Sequence, residues 1–162
     1  MLIISPDARI SPLADIEDSE RGSRIEIGRG CRIDSFVKIK PAGGSGDVVI
    51  GRDTYINSGT VIYSGNGVRI GEHVLIAANT TLAAVNHEYR ARDKLIVEQR
   101  FMPSRGGIVV EDDVWIGANC VILDGAHIRR GCVIAAGSVV RGELPEYAIC
   151  AGNPATPKSY RE

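Results

Sequence analysis

The segment VEDDVWIGANCVILDGAHIRRGCVIAAGSVV, residues 110–140, decides the fold because an aliphatic side chain recurs in it at every sixth position. The recurring residues are Val110, Ile116, Ile122, Ile128, Ile134 and Val140. Four positions after most of these stands a small or β-branched residue: Val114, Cys120, Ala126, Cys132 and Ser138. A six-residue period fits neither an α-helix nor a long strand, and it indicates a short strand followed by a sharp turn.

The same spacing runs upstream in groups of three, which begin at Ile4, Ile27, Ile50 and Ile70. Extra residues enter only after the third hexad of a group: five after Ile16, five after Ile39, two after Ile62 and twenty-two after Leu82. Three hexads therefore make one turn of a solenoid. The sequence predicts an all-β fold of about six triangular coils of stacked parallel strands, with every insertion leaving from the same corner.

The repeat also predicts the boundaries of the fold. We expect a single domain over residues 1–162, with one long protruding loop at 83–109 and a C-terminal cap and tail at 142–162. Residues 144–162 are expected not to continue the solenoid, because the hexads lapse and prolines enter. Glycines follow the aliphatic residue at Gly28, Gly51, Gly71 and Gly117, where a less restricted φ and ψ is expected.

Composition narrows the classes of partner. Of the 162 residues, 44% are hydrophobic and 24% charged, and the net charge is -1, so no basic field exists to hold nucleic acid or an anionic membrane. The sequence shows neither a secretory leader nor an apolar run long enough for a membrane span, so a cytoplasmic protein is expected. The four cysteines form no Cys-x-x-Cys pair, and we expect them to be reduced.

Four motifs together resemble those of the hexapeptide-repeat acyltransferases: Val114–Asn119 (VWIGAN), Ala135–Val140 (AAGSVV), Ala151–Ala155 (AGNPA) and Asn86-His87-Glu88. The nearest resemblance is to galactoside and maltose acetyltransferases and to O-acetyltransferases of surface polysaccharides. It implies a left-handed β-helix, a homotrimer, and acetyl-CoA bound between neighbouring subunits. It also implies a sugar or glycan acceptor.

Acyl transfer to a hydroxyl needs a general base, and histidine is the usual one at neutral pH. By alternation along the hexads, His73 and His127 should point outward from regular walls. His87 lies where the chain leaves the coil for its longest loop, and the resembled family has its catalytic histidine at the matching place. The resemblance also implies Asn57 as an acceptor or oxyanion contact, and Glu88 as a group that hydrogen-bonds the imidazole or its backbone.

For acetyl-CoA, the resemblance places Ala118 and Ala136 along the pantetheine arm, and it implies that Trp115 is covered by that arm or by a neighbouring subunit of the trimer. Basic residues are expected on the phosphates, with Arg141 and Lys158 as the candidates and Arg129, Arg130 and Arg161 also available. Where the family often has a basic residue directly after Gly-Asn-Pro-Ala, this chain has Thr156 and Pro157. It also lacks the N-terminal helical extension of the galactoside and maltose enzymes, so a free galactoside or maltose is a poor candidate acceptor.

Three other functions stay open on the sequence. The acceptor group is a hydroxyl or, as the first alternative, the amine of a nucleotide-linked amino sugar. A zinc enzyme of the γ carbonic anhydrase type would need a His-x-x-x-x-His pair, which is absent, so no metal is expected. A non-catalytic β-helix scaffold would have no need of His87 beside a long loop. The long loop itself is expected to cover an acceptor or a neighbouring subunit.

Overall fold

The computed structural model describes residues 1–162 and contains twenty-one β-strands in three sheets. The chain winds as a left-handed parallel β-helix, and each of the first six coils contributes one strand to each sheet. The one helix, α1 (Ile96–Gln99), lies in the long loop. No helix in the structure has the length and apolar character needed to cross a bilayer.

The three sheets form the three faces of a triangular prism. Sheet A consists of β1 (Leu2–Ile4), β4 (Ile25–Ile27), β7 (Val48–Ile50), β10 (Val68–Ile70), β13 (Ile108–Val110), β16 (His127–Ile128) and β19 (Glu143–Leu144). Sheet B consists of β2 (Arg9–Ile10), β5 (Arg32–Ile33), β8 (Tyr55–Ile56), β11 (Leu75–Ile76), β14 (Trp115–Ile116), β17 (Val133–Ile134), β20 (Ala148–Gly152) and β21 (Ala155–Tyr160). Sheet C consists of β3 (Asp15–Ile16), β6 (Lys38–Lys40), β9 (Val61–Tyr63), β12 (Thr81–Ala83), β15 (Val121–Leu123) and β18 (Val139–Val140).

The hexad residues form continuous ladders because each strand pairs in parallel with the same position one coil away. In sheet B, Ile56 pairs with Ile76, which pairs with Ile116. Both predicted registers point inward, and 31 buried residues form one core along the axis. Cys31, Cys120 and Cys132 belong to it, and each thiol donates a hydrogen bond to a backbone carbonyl. All four cysteines are free and buried.

The insertions all leave at one corner, which confirms the prediction. The segments between β3 and β4, β6 and β7, β9 and β10, and β12 and β13 each connect sheet C to sheet A. We call this corner the C–A edge, and the corner between sheets B and C the B–C edge. The long loop occupies 84–107, between β12 and β13.

The C-terminal segment corrects one expectation. β19 pairs in parallel with β16, and β20 pairs in parallel with β17, so the chain begins a seventh coil after residue 142. Leu144 and Cys150 occupy inward positions and are buried. Only then does β21 turn back as an antiparallel partner of β20. Inward residues therefore continue although the six-residue spacing is broken after Val140. The end of the regular hexads does not mark the end of the solenoid.

The structure also corrects the reason expected for the glycines that follow the aliphatic positions. Gly28, Gly51, Gly71 and Gly117 have no positive φ, so conformational freedom is not why they are glycine. A Cβ at any of them would lie within 3.0 Å of an atom of the next coil, for example 2.6 Å from the carbonyl carbon and oxygen of Gly71 at Gly51. These positions need glycine because adjacent coils approach closely.

We expect Gly51→Ala to lower the free energy of unfolding by about 1–3 kcal/mol, because a Cβ there must displace the backbone of the next coil. Urea denaturation followed by circular dichroism measures the effect. An unchanged midpoint and slope would contradict the close-approach explanation.

Candidate active site

His87 lies on a closed neck of the long loop. The amide of Met102 donates to the carbonyl of Asn86 at 2.8 Å, and the amide of Glu88 donates to the carbonyl of Arg100 at 3.1 Å. These bonds pair 86–88 with 100–102 in an antiparallel bridge centred on His87 and Phe101, whose ring centroids are 4.9 Å apart. The imidazole is therefore held by a short ladder and an aromatic neighbour.

The backbone also sets the tautomer of His87. Its Nδ1 lies 3.1 Å from the carbonyl oxygen of Arg100, which can only accept, so Nδ1 carries the proton. Nε2 then has a free lone pair, and no group of the chain hydrogen-bonds to it. A neutral histidine with one nitrogen fixed and the other open is the arrangement that a general base requires.

A groove of about 670 Å³ opens beside this ring and runs down the C–A edge across three coils. We call it the His87 groove; its lining is Asn86, His87, Tyr89, Met102, Arg105, Leu123, Asp124, Gly125, Arg141 and Gly142. The structure thus brings Arg141, a predicted phosphate contact, to the same groove as His87. Arg141 forms no ion pair and has only a long contact, 3.4 Å, to the amide oxygen of Asn153.

Asp124 also lines this groove, although no motif of the sequence points to it. Its buried carboxylate accepts hydrogen bonds from the amides of Arg105 and Gly107, both at 2.9 Å, and from the side chain of Asn66 at 3.0 Å. It therefore fixes the returning end of the long loop against the coil. In the sequence, Asp124 could have been noticed because it is acidic, whereas the matching positions of the third and fourth coils are Ser64 and Ala84.

Glu88 does not make the predicted contact with the imidazole. Its carboxylate accepts hydrogen bonds from the side chain and amide of Arg90 and from the amide of Tyr89. The hydrogen bond from the Arg90 side chain is the main reason why the pKa of Glu88 falls to about 2, and the two amides lower it further. Adjacent side chains in extended chain face opposite ways, so Glu88 points away from the imidazole. The Arg100 carbonyl sets the tautomer of His87 instead.

We expect Glu88→Gln to change kcat by less than about tenfold, because the carboxylate does not touch the base. Because its pKa is depressed, the ionised carboxylate stabilises the loop above pH 4.5, and this stabilisation is lost as the pH falls towards about 2. Carbon-detected NMR titration of the Glu88 carboxyl measures that value. A midpoint near 4.5, or a loss of activity as large as that of a base variant, would contradict this assignment.

Asn57 lies on the other side of the solenoid, at the B–C edge. Its side-chain amide donates to the backbone carbonyl of Ile76 at 2.7 Å, and Oδ1 remains open. It lines a groove of about 700 Å³ together with Ala8, Arg9, Ile10, Ser11, Arg32, Ile33, Asp34, Tyr55 and Ile56. We call this the Asn57 groove.

The predicted coenzyme contacts are divided between the two edges. Ala118 and Ala136 lie on the B–C edge in the fifth and sixth coils, and Trp115 stands on the outside of sheet B with 52% of its surface exposed. Lys158 lies on β21, where its ammonium group donates to the hydroxyl of Thr156 at 2.9 Å. Within one chain, none of these residues lines the His87 groove.

The other two histidines behave as predicted for outward positions. His73 is exposed at a turn with φ of 56°. The side chain of His127 points outward from sheet A, and its Nε2 lies 2.7 Å from a carboxylate oxygen of Glu111. No group of three or more histidine, cysteine, aspartate or glutamate residues is arranged to hold a metal ion.

Two family models match the chain. Residues 107–142 match the bacterial transferase hexapeptide model of six repeats, and residues 47–84 match the hexapeptide repeat of succinyl-transferase. The matched segments contain the third and fourth coils, which precede His87 in the sequence, and the fifth and sixth coils, which follow it.

Two relatives match over most of the chain. The Saccharomyces cerevisiae protein YJL218W, assigned as an acetyltransferase, is 32% identical over 144 residues, which are 88% of this chain and 71% of that protein. WbbJ of Escherichia coli, assigned as a lipopolysaccharide biosynthesis O-acetyl transferase, is 31% identical over 140 residues, 83% of this chain and 67% of that protein.

Two crystal structures share the fold. The hexapeptide-repeat acetyltransferase VCA0836 of Vibrio cholerae, complexed with acetyl-CoA, has a TM-score of 0.73 and 30% identity, and covers 83% of this chain and 69% of that one. A variant of the Bacillus cereus N-acyltransferase AntD, complexed with dTDP-4-amino-4,6-dideoxyglucose and coenzyme A, has a TM-score of 0.83 and 26% identity. The match covers 99% of this chain and 84% of that one. Repeat, register and relatives agree, and the chain belongs to the hexapeptide-repeat acetyltransferases.

Proposed function

We propose that the protein transfers an acetyl group from acetyl-CoA to a hydroxyl of a sugar in a surface polysaccharide or its precursor, with His87 as general base. The observation that carries this proposal is the imidazole held at Nδ1 by the Arg100 carbonyl, with Nε2 open beside a groove large enough for substrate. The resemblance to WbbJ supports a sugar hydroxyl as the acceptor.

The chain's own groups account for the proton movements. Acetyl-CoA supplies the thioester carbonyl and the thiol leaving group. His87 Nε2 accepts the hydroxyl proton while the sugar oxygen forms its bond to the carbonyl carbon, and the imidazolium returns that proton to the departing sulfur. The proton taken from the hydroxyl ends on the thiol of coenzyme A, so the same histidine acts first as a base and then as an acid.

The B–C edge has room for the pantetheine arm of acetyl-CoA. Ala136 is exposed, and a Cβ built on Gly137 would meet no heavy atom within 4 Å. Trp115 offers an exposed apolar surface on the neighbouring coil. Small residues beside an exposed indole would allow an extended, mostly apolar chain to approach the backbone closely.

The distribution of these residues supports a homotrimer with active sites between subunits. His87 and Arg141 lie on the C–A edge, whereas Asn57, Ala118 and Ala136 lie on the B–C edge, so one site that uses all of them would need a second chain. From the third coil onward, sheet B has an apolar outer column, formed by Tyr55, Leu75, Trp115, Val133 and Ile149. Sheet A instead carries outward Glu26, Arg69, His127 and Glu143 among its valines, as a solvated face does.

N-acetylation of a nucleotide-linked amino sugar is the second candidate. The favouring observation is the similarity to AntD over 99% of the chain, in a complex with an amino sugar nucleotide. The same base serves either acceptor, because an ammonium group must also lose a proton before it attacks a thioester.

Thiol release from acetyl-CoA, measured with a panel of sugars, nucleotide sugars and amino sugars, tests the proposal. We expect release with at least one acceptor and an O-acetyl ester in the product, identified by its lability to mild base. An N-acetyl product alone would replace the first candidate by the second. The absence of release with every class of acceptor would contradict both.

A further inference from the structure

We propose that the Asn57 groove binds a diphosphate through Arg9 and Arg32, so that the acceptor is a sugar linked to a nucleoside diphosphate. This inference rests on the proposed function and adds the class of acceptor. It applies whether the group acetylated is a hydroxyl or an amine.

The two arginines are paired in a way that folding alone does not favour. Arg9 in β2 and Arg32 in β5 are direct neighbours across the parallel ladder, and both point outward from sheet B into the groove. Like charges in directly opposed positions destabilise a sheet. Neither guanidinium forms an ion pair, although Arg24, Arg52 and Arg129 elsewhere on the surface each do.

The same two coils provide an internal comparison. On sheet C, the outward residues of the first and second coils are Asp15 and Lys38, which are in register and form an ion pair. There the structure neutralises the column of charges, whereas on sheet B it leaves two cations side by side. An anionic ligand would supply the missing charge.

The groove also orients one of these cations. The guanidinium carbon of Arg32 lies 4.9 Å from the ring centroid of Tyr55, so a cation–π contact holds the group over the ring. An ordered guanidinium presents two N–H groups to phosphate oxygens at a lower entropic cost than a free one. Two such groups one coil apart suit a ligand with two linked phosphates better than a neutral sugar.

The groove contains one carboxylate, which must be accounted for. Asp34 accepts hydrogen bonds from the amide of Ser35 at 2.7 Å and from the hydroxyl of Ser58 at 2.8 Å, and these two bonds lower its pKa. Its charge is thus partly satisfied within the chain. With Asn57 beside it, it offers acceptors for sugar hydroxyls, so one end of the groove is basic and the other suits a sugar.

The first test is calorimetric titration of the intact oligomer with inorganic pyrophosphate and with UDP. We expect both to bind, and Arg9→Gln and Arg32→Gln each to weaken binding by about tenfold to a hundredfold. Arg69→Gln is the matched control, because Arg69 is an outward arginine in mid-strand on sheet A, and it should bind as the wild type does. Arg9→Gln should not lower the unfolding temperature, because it removes a repulsion.

Kinetics then identify the source of the phosphate. With a nucleotide sugar, the two variants should raise KM by a similar factor and leave kcat nearly unchanged; a sugar 1-phosphate should be a weaker acceptor and a neutral sugar the weakest. Failure of pyrophosphate and UDP to bind would overturn the inference, as would a neutral acceptor whose KM is the same in all variants. In that last case acetyl transfer still occurs, so the proposed function would stand without this assignment.

Discussion

Replacing His87 by alanine is expected to lower kcat for acetyl transfer by about 10²–10⁴-fold, because the attacking group then loses the base that takes its proton. The folded structure should be unaffected, because the ring is exposed and its one hydrogen bond goes to the Arg100 carbonyl on the loop neck. Steady-state thiol release at saturating acceptor and acetyl-CoA measures kcat, and thermal denaturation verifies folding.

His73→Ala is the matched control for this experiment. His73 is also exposed, but it stands at a turn that contributes to neither groove. Its variant should retain kcat within about twofold, as expected for a residue remote from the chemistry. Equal rates in wild type and His87→Ala would show that the base must be sought elsewhere.

The largest effect on stability is expected from Ile76→Ala, which should lower the free energy of unfolding by about 2–5 kcal/mol. Ile76 is fully buried at 0% exposure and stands in the ladder between Ile56 and Ile116. A solenoid transmits its core only through nearest neighbours, so a cavity in the fourth coil weakens the contact on both sides. Guanidinium denaturation at fixed protein concentration measures the change.

Ile3→Ala removes the same group at an outward position of the first coil, where the side chain is 42% exposed. It should change the free energy of unfolding by less than about 0.5 kcal/mol, as surface substitutions usually do. Similar losses for the two variants would mean that the hexad ladder is not the principal core.

The hexad spacing was sufficient to predict the inward residues, the triangular section and the corner at which insertions leave. The prediction succeeds because one six-residue repeat determines the position of the turn, the strand and the buried residue together. Each hexad isoleucine therefore occupies the same kind of buried position. His87 was chosen as the candidate base for a related reason: it is the first histidine beyond the last hexad before the longest loop. Its activated tautomer was not predictable, because the partner carbonyl of Arg100 comes from the far end of that loop.

The features that were missed depend on contacts between segments far apart in sequence. Asp124 reads as a turn residue, and only the fold shows that it holds the end of the long loop. Gly51 reads as a source of conformational freedom, although the approach of the next coil is the actual requirement. The pairing of Arg9 with Arg32 emerges only once the register of sheet B is known.

The central claim is that two chains share each active site, and mixing His87→Ala with Asn57→Ala, which should lower the rate because Asn57 is the proposed acceptor or oxyanion contact, tests it most directly. In trimers assembled from equal amounts of His87→Ala and Asn57→Ala chains, a site built across the interface has both native residues in about a quarter of cases. We predict recovery of about that fraction of the wild-type rate, above either variant alone. Activity no greater than the average of the two variants would contradict a shared site and place His87 and Asn57 in separate functions.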